Sequence, residues 1–174
     1  MTLFSNINRN DIDYALYSEP DYEFLDRSAR EDSQCIRTVL ESWFSRYPEK
    51  HKNDLRARFQ STDNYQHSSA SFELLLHESL LRLGSSVELH PHISNRKGKH
   101  PDFKATDAEG NQFYLEAVQC TDIKQEERSA TARLNIVYDA INRIESYEFF
   151  IGLSEKGLPK TPPSGSRLRK ELRS

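Results

Sequence analysis

Two carboxylates in the stretch 100–120, HPDFKATDAEGNQFYLEAVQC, are spaced to act together: Asp102 at the start of one apolar segment and Glu116 inside the next. The sequence DAEGN between them, at 107–111, is turn chemistry that favours a tight reversal. Pairing Asp107 with Asn111 across that turn sets Thr106 against Gln112, Lys104 against Tyr114, Asp102 against Glu116 and His100 against Val118. Directly opposed residues hold their Cβ atoms about 4.5–5.5 Å apart on one face of a sheet. Two carboxylates so placed repel unless one takes a proton or a cation stands between them. Oxygen donors of this kind suit a hard divalent ion, Mg2+ or Mn2+. A slip of one residue in register would send the acids to opposite faces and remove the pair. Lys104, two residues from Asp102, shares its strand face.

The elements that must hold these residues follow from periodicity. Ile36, Val39, Leu40, Trp43 and Phe44 recur at spacings of three and four and predict a helix over 28–47, which Pro48 ends. A second helix is predicted over 49–59, with Leu55 and Phe59 four apart. Its other face carries Lys50, Lys52, Arg56 and Arg58, and with Arg37 and Arg46 it reads either as a phosphate-contacting surface or as a plain solvated face. Residues 61–69 read as a polar linker. A strongly apolar helix is expected over 70–83, with Phe72, Leu75, Leu76, Leu80 and Leu83 on one wide face, Leu74 and Leu81 broadening it, and Gly84 as its stop. Glu73 and His77 lie on one side of that helix, and a charge among so many leucines calls for a partner.

Strands are expected at 87–89, extendable to 93, at 102–106 and at 112–121, with a basic turn, SNRKGKH, before the second. A helix over 125–144 should turn Leu134, Val137, Tyr138, Ile141 and Ile144 inward. Residues 147–153, YEFFIGL, read as a short strand buried on both faces. A Pro/Gly loop then leads to a last helix capped by Ser166. The expected class is α/β, an α-β-β-β-α-β core with a mixed central sheet flanked by helices, preceded by an N-terminal helical pair. The regions are an acidic aromatic arm at 1–27, lying on the domain or a partner or loosely ordered; a helical hairpin at 28–60; the core at 70–154; and a loop with the start of a helix at 155–174, which reads as truncated. A missing C-terminal region or a protein partner would then cover it.

The 174 residues are enough for one domain with a real core. Formal net charge is -3, so a nucleic-acid partner would need a local basic patch and not a global field. Cys35 and Cys120 form neither a disulfide framework nor a CxxC pair, and read as free thiols in a reducing compartment. The first residues contain no apolar signal-peptide core, and no apolar run approaches the roughly 20 residues of a membrane span. The expectation is a soluble, cytoplasmic protein without membrane contact.

Glu73 in an apolar helix that ends at Gly84, a strand, the Pro101-Asp102 step and Glu116 in an apolar strand together resemble the PD-(D/E)xK, restriction-endonuclease-like, nuclease superfamily. The resemblance covers about residues 70–153. It implies Glu73, Asp102 and Glu116 as catalytic acids, Asp102 and Glu116 as ligands of Mg2+ or Mn2+, and metal-assisted hydrolysis of a phosphodiester. The family's lysine, two residues after the strand glutamate, is replaced by Val118. Lys104 is the candidate substitute; Gln119 points to the other face, and Lys124 lies past the strand end. Arg96, Lys97, Lys99 and His100, before Asp102, are the expected nucleic-acid contacts or a plain solvated turn. The whole chain also resembles a group of uncharacterised bacterial proteins with RYP, PDF and FYLEA motifs, here Arg46-Tyr47-Pro48, Pro101-Asp102-Phe103 and Phe113 to Ala117. Members of that group continue beyond this chain's end, which implies a C-terminal truncation.

Rival constellations are weaker. His90, His92 and His100 read as zinc ligands or as structural histidines. Asn135, Asp139 and Asn142 share a helix face that lines a cleft or braces loops. Cys120 has no paired base, and there is no Walker loop or GxGxxG. Three functional readings result: a metal-dependent endo- or exonuclease, favoured by the acids; a catalytically inactive nuclease-like module that binds nucleic acid or a protein partner, favoured by Val118; and a fragment whose apolar surface awaits a missing C-terminal region.

Overall fold

Phe44, Leu55, Phe59, Leu74 and Phe103 are at most 1% exposed, and the elements that carry them build one core. The computed structural model describes residues 1–92, 100–119, 125–144, 152, 154, 157, 159–161 and 164–172. Its contacts divide the chain into two units: residues 1–13 with 20–119, and residues 14–19 with 120–174.

The first unit contains α1 (Asp21–Arg27), α2 (Glu31–Arg46), a 3-10 turn (Glu49–His51), α3 (Lys52–Phe59), α4 (Asn64–Arg82) and three strands. The helical pair expected over 28–59 is α2 and α3; Pro48 separates them, and Tyr47 ends α2 in an extended conformation. α1 was not expected. The arm is not a loose leader: Leu3 is 0% exposed and Phe4 packs edge-on against Phe59, with ring centroids 5.5 Å apart. Segment 1–13 is fixed further along its length, where Asp11 and Ser28 form a parallel bridge and Ala29 N donates to Asp11 O.

α4 corrects the sequence reading twice. It starts at Asn64, because Asp63 caps it by accepting the Tyr65 N–H at 3.0 Å, so most of the expected linker is helix. Its buried side is also rotated from the expected one. His67, Ala70, Glu73, Leu74, His77, Glu78 and Leu80 are buried, whereas Phe72, Leu75 and Leu83 are exposed. Of the four polar side chains on the buried face, His67 meets the Phe59 carbonyl, Glu73 meets Tyr47 and Arg58, and Glu78 meets Arg46, while His77 packs its ring against Tyr47.

The strands β1 (Ser86–Leu89), β2 (Phe103–Thr106) and β3 (Gln112–Leu115) form an antiparallel sheet in the order β1-β2-β3. β3 is shorter than the expected 112–121. Its pairing with β2 has the register that the turn residues predict: Thr106 opposes Gln112, Lys104 opposes Tyr114 and Phe103 opposes Leu115. The turn is locked by Asp107, whose Oδ1 accepts the N–H groups of Glu109 and Asn111 at 2.9 and 2.8 Å, and by Gly110 at φ +87°. Phe103 and Ala105 are buried while Lys104 and Thr106 are half-buried, the period-two pattern of a strand with one covered face.

In the second unit, α5 (Gln125–Asn142) and α6 (Gly165–Leu172) pack together. Gly165 belongs to this contact: a Cβ there would lie 3.1 Å from the Ala140 Cβ. The buried residues of α5 are Ala130, Asp139 and Ala140; the expected inward residues Leu134, Val137, Tyr138, Ile141 and Ile144 are half-buried. Asp139 accepts from Tyr17 N at 2.7 Å, Ser18 N at 3.0 Å and Ser18 Oγ at 2.5 Å, and Asn135 Nδ2 donates to Tyr17 O at 2.7 Å. These residues brace segment 14–19. At α6 the capping oxygen is that of Ser164, which accepts from Arg167 N at 3.3 Å, in place of Ser166. The strand expected at 147–153 lies outside the described residues apart from Gly152. Among the described residues, six α-helices and a three-stranded antiparallel sheet give an α/β class, and no helix is long and apolar enough to cross a membrane.

Candidate functional site

The Arg46-Tyr47-Pro48 step lies where α2 ends, opposite two acids of α4. Arg46 meets Glu78 with two nitrogens, Nη2 at 2.6 Å and Nε at 3.0 Å, and Arg82 adds a third contact at 2.7 Å. These hydrogen bonds outweigh burial and hold the Glu78 carboxyl below its usual range. Tyr47 is 2% exposed and its hydroxyl donates to Glu73 Oε1 at 2.5 Å. Burial, then the hydrogen bond and charge of Glu73, push this phenol far above its usual value, so it remains a donor.

Glu73 Oε2 faces Arg58 Nη2 at 2.8 Å. Arg58 belongs to α3 and also holds Asp54, one turn earlier, at 2.9 Å. Burial works against the Arg58 charge, but Glu73 and Asp54 more than offset it and raise the pKa. The basic face expected on the second helix is therefore only partly open: Lys50 is exposed, whereas Lys52 and Arg58 are paired within the molecule. Lys52 is buried and paired with Glu49 at 2.8 Å, Arg46 with Glu78, and Arg58 with two acids.

Glu73, Arg58 and Asp54 line a cavity of about 280 Å3 with Ser69, His90, Asp102 and Ala117. Asp102 lies one residue before β2, and its Oδ2 accepts the Ala117 N–H at 2.7 Å. Its carbonyl accepts from His90 N at 2.9 Å. His90 has φ +47°, a left-handed conformation that costs a non-glycine residue about 1 kcal/mol. Strain of this kind gathers at functional sites. Across from it is His51, with ring centroids 5.3 Å apart; burial, and then His90, lower the His51 pKa. Three carboxylates line this cavity against one guanidinium, so its field favours a cation.

The structure thus brings Glu73 and Asp102 to one cavity from α4 and the start of β2. It does not bring the rest of the expected set. Glu116 is exposed and is not among the lining residues, although it follows β3 in the expected register. Lys104 lies opposite Glu88 in the ladder, with its Nζ 4.0 Å from that carboxylate. Among the described residues no group of three or more His, Cys, Asp and Glu stands close enough to hold a metal ion. His90, His92 and His100 do not gather as a set of three: the His90 ring meets His51, while the His92 and His100 rings meet edge-on with centroids 5.0 Å apart and His100 Nδ1 lies 3.1 Å from Pro91 O. Arg96, Lys97 and Lys99 lie outside the described residues, as do Cys120 and Lys124.

Sequence reasoning placed Arg58 on a basic helix face and Tyr47 in the RYP step without joining either to Glu73, and it did not single out the lining residues Asp54 and Ser69. The available signal was the RYP step at a helix end, facing a helix with acids five residues apart. No protein-family model, curated protein or solved structure matches the chain.

Proposed function

We propose that the unit of residues 1–13 and 20–119 is a nuclease-like module of PD-(D/E)xK type that acts by binding and not by hydrolysis, with the Arg58 guanidinium serving as the cation of its acidic cavity. The observation that carries this reading is the double engagement of Glu73, whose two oxygens accept from Tyr47 and Arg58. A divalent ion such as Mg2+ or Mn2+ needs free carboxylate oxygens. Both Glu73 oxygens already hold a donor, Asp102 has one oxygen on Ala117 N, and Glu116 does not line the cavity. These residues as arranged do not fit the ion, and no hydrolytic step is derived through it. Lys104 does not line the cavity and has its Nζ 4.0 Å from Glu88, and Val118 cannot hold or donate a proton.

The cavity's excess of carboxylates disfavours phosphate and suits a basic side chain of a protein partner. An exposed, free Cys35 supports a cytoplasmic setting.

Hydrolysis is the second reading. It is favoured by the meeting of Glu73 and Asp102 at one cavity, as the resemblance implies. Calorimetric titration with Mg2+ and Mn2+, followed by cleavage assays on single- and double-stranded DNA and RNA, separates the two. Binding-only function predicts neither a saturable metal site nor cleavage. Metal-dependent cleavage that Asp102→Ala abolishes would overturn it in favour of the nuclease.

A further inference from the structure

A second cavity, of about 730 Å3, lies between segment 1–13 and α2 and shares no lining residue with the first. One face of α2 lines it: Gln34, Arg37, Thr38 and Glu41, spaced as a helix spaces one side. Arg37 is only 9% exposed. Its Nη1 donates to the carbonyls of Leu25 at 2.6 Å and Ser28 at 2.8 Å, near the end of α1. Arg37 also lines the cavity.

Arg37 differs from the other buried fixed charges of this unit. Glu73 has Arg58, Glu78 has Arg46 and Lys52 has Glu49. No carboxylate of the described residues pairs with Arg37. Glu41, one turn on, is occupied by the Phe4 N–H at 2.8 Å. Arg9, which also lines the cavity, is matched by Asp26 at 2.9 Å and donates to the Ser5 and Ile7 carbonyls. Burial, and then the like charge of Arg9, lower the Arg37 pKa against a smaller opposing pull from Asp26, whose carboxylate is bound to Arg9. A buried guanidinium without a direct ion-pair partner is costly, and guanidinium is the side chain best shaped to grip a phosphate or carboxylate. The lining carries two guanidinium groups against one carboxylate, and its volume is in the range of small-molecule sites.

We propose that this cavity binds a small molecule ending in an oxyanion, phosphate or carboxylate, which pairs directly with Arg37. The hydroxyl and amide side chains of Thr38 and Gln34 face the uncharged part of that molecule, and the free oxygen capacity of Glu41 favours a hydroxyl or amine on it.

The test is an amide NMR titration of the full chain with inorganic phosphate, acetate, a sugar phosphate and its parent sugar, with sodium chloride at matched ionic strength as the control. Saturable shifts confined to residues 2–9 and 34–41 are expected with the oxyanions and not with chloride or the neutral sugar. The phosphate and acetate arms decide which oxyanion the site prefers. Arg37→Gln should abolish the response. Because Arg37 also ties two carbonyls, Thr38→Asp is the second variant: Thr38 is exposed, and a negative charge there leaves the Arg37 hydrogen bonds in place. Binding should weaken roughly tenfold. Shifts that fail to saturate, an equal response to chloride, or unchanged affinity in folded Thr38→Asp would each overturn the proposal.

Discussion

Arg58 and Glu73 meet at 2.8 Å between α3 and α4, and through this contact a carboxylate only 8% exposed acquires its counter-charge. Removing the cation leaves an unpaired buried charge. Arg58→Ala should destabilise the fold by about 2–3 kcal/mol, measured by urea unfolding. If Arg58 stands in for a metal, Mn2+ should raise the unfolding midpoint of Arg58→Ala and leave that of the wild type unchanged. Equal response of both proteins would reject the substitution idea.

Tyr47→Phe removes one hydroxyl and leaves the ring packing against His77, 4.9 Å away between centroids. Glu73 then keeps only Arg58. The expected loss is about 1–2 kcal/mol. In the wild type, ultraviolet titration should show one tyrosine that does not ionise in the ordinary phenol range, and this silent tyrosine should vanish in Tyr47→Phe.

His77 is 2% exposed, and its Nδ1 is buried without a hydrogen-bond partner among the described residues. Burial lowers its pKa, so the folded state binds the proton less readily than the unfolded state. This contribution to stability is complete above the unfolded imidazole value of about 6.5 and is lost as pH falls through the lower folded value. Urea midpoints measured across that window should decline toward acid, and His77→Met should flatten the decline.

Phe59 is fully buried and touches the rings of Phe4, Tyr22 and His67. Phe59→Ala should cost about 3–5 kcal/mol in chemical denaturation. It should also release segment 1–13, seen as faster amide exchange at Phe4, whose N–H is otherwise held by Glu41.

Gly110→Ala tests the hairpin by itself. A Cβ at this position meets nothing within 4 Å, so the whole effect comes from φ +87°. The cost should be about 1 kcal/mol, and Gly110→Asn should cost less, because Asn tolerates that conformation better.

The hairpin was legible because its determinants are local: Asp107, Gly110 and Asn111 fix the turn, and the turn fixes each later pair. The buried face of α4 was not. Counting leucines pointed to Phe72 and Leu75, which are exposed, whereas Glu73 and Glu78 go inward because Tyr47, Arg58 and Arg46 meet them from other helices. Such partnerships leave no periodic trace in either helix. The cavity itself was half legible. Asp102 and Glu73 were singled out, but the assignment of Glu116 and Lys104 to the same site assumed that strand alternation extends past the ends of the ladder. Asp102 and Glu116 both lie one residue outside it, and there Asp102 turns to a backbone N–H.

Leu3 and Phe4 belong to the same core as Phe59 and Leu74. The ribosome makes them first, yet the surfaces that receive them appear only once α3 and α4 have been synthesised. The order of synthesis therefore runs against the order of docking. A nascent chain paused before Phe59 carries two apolar side chains whose receiving surfaces have not yet been made.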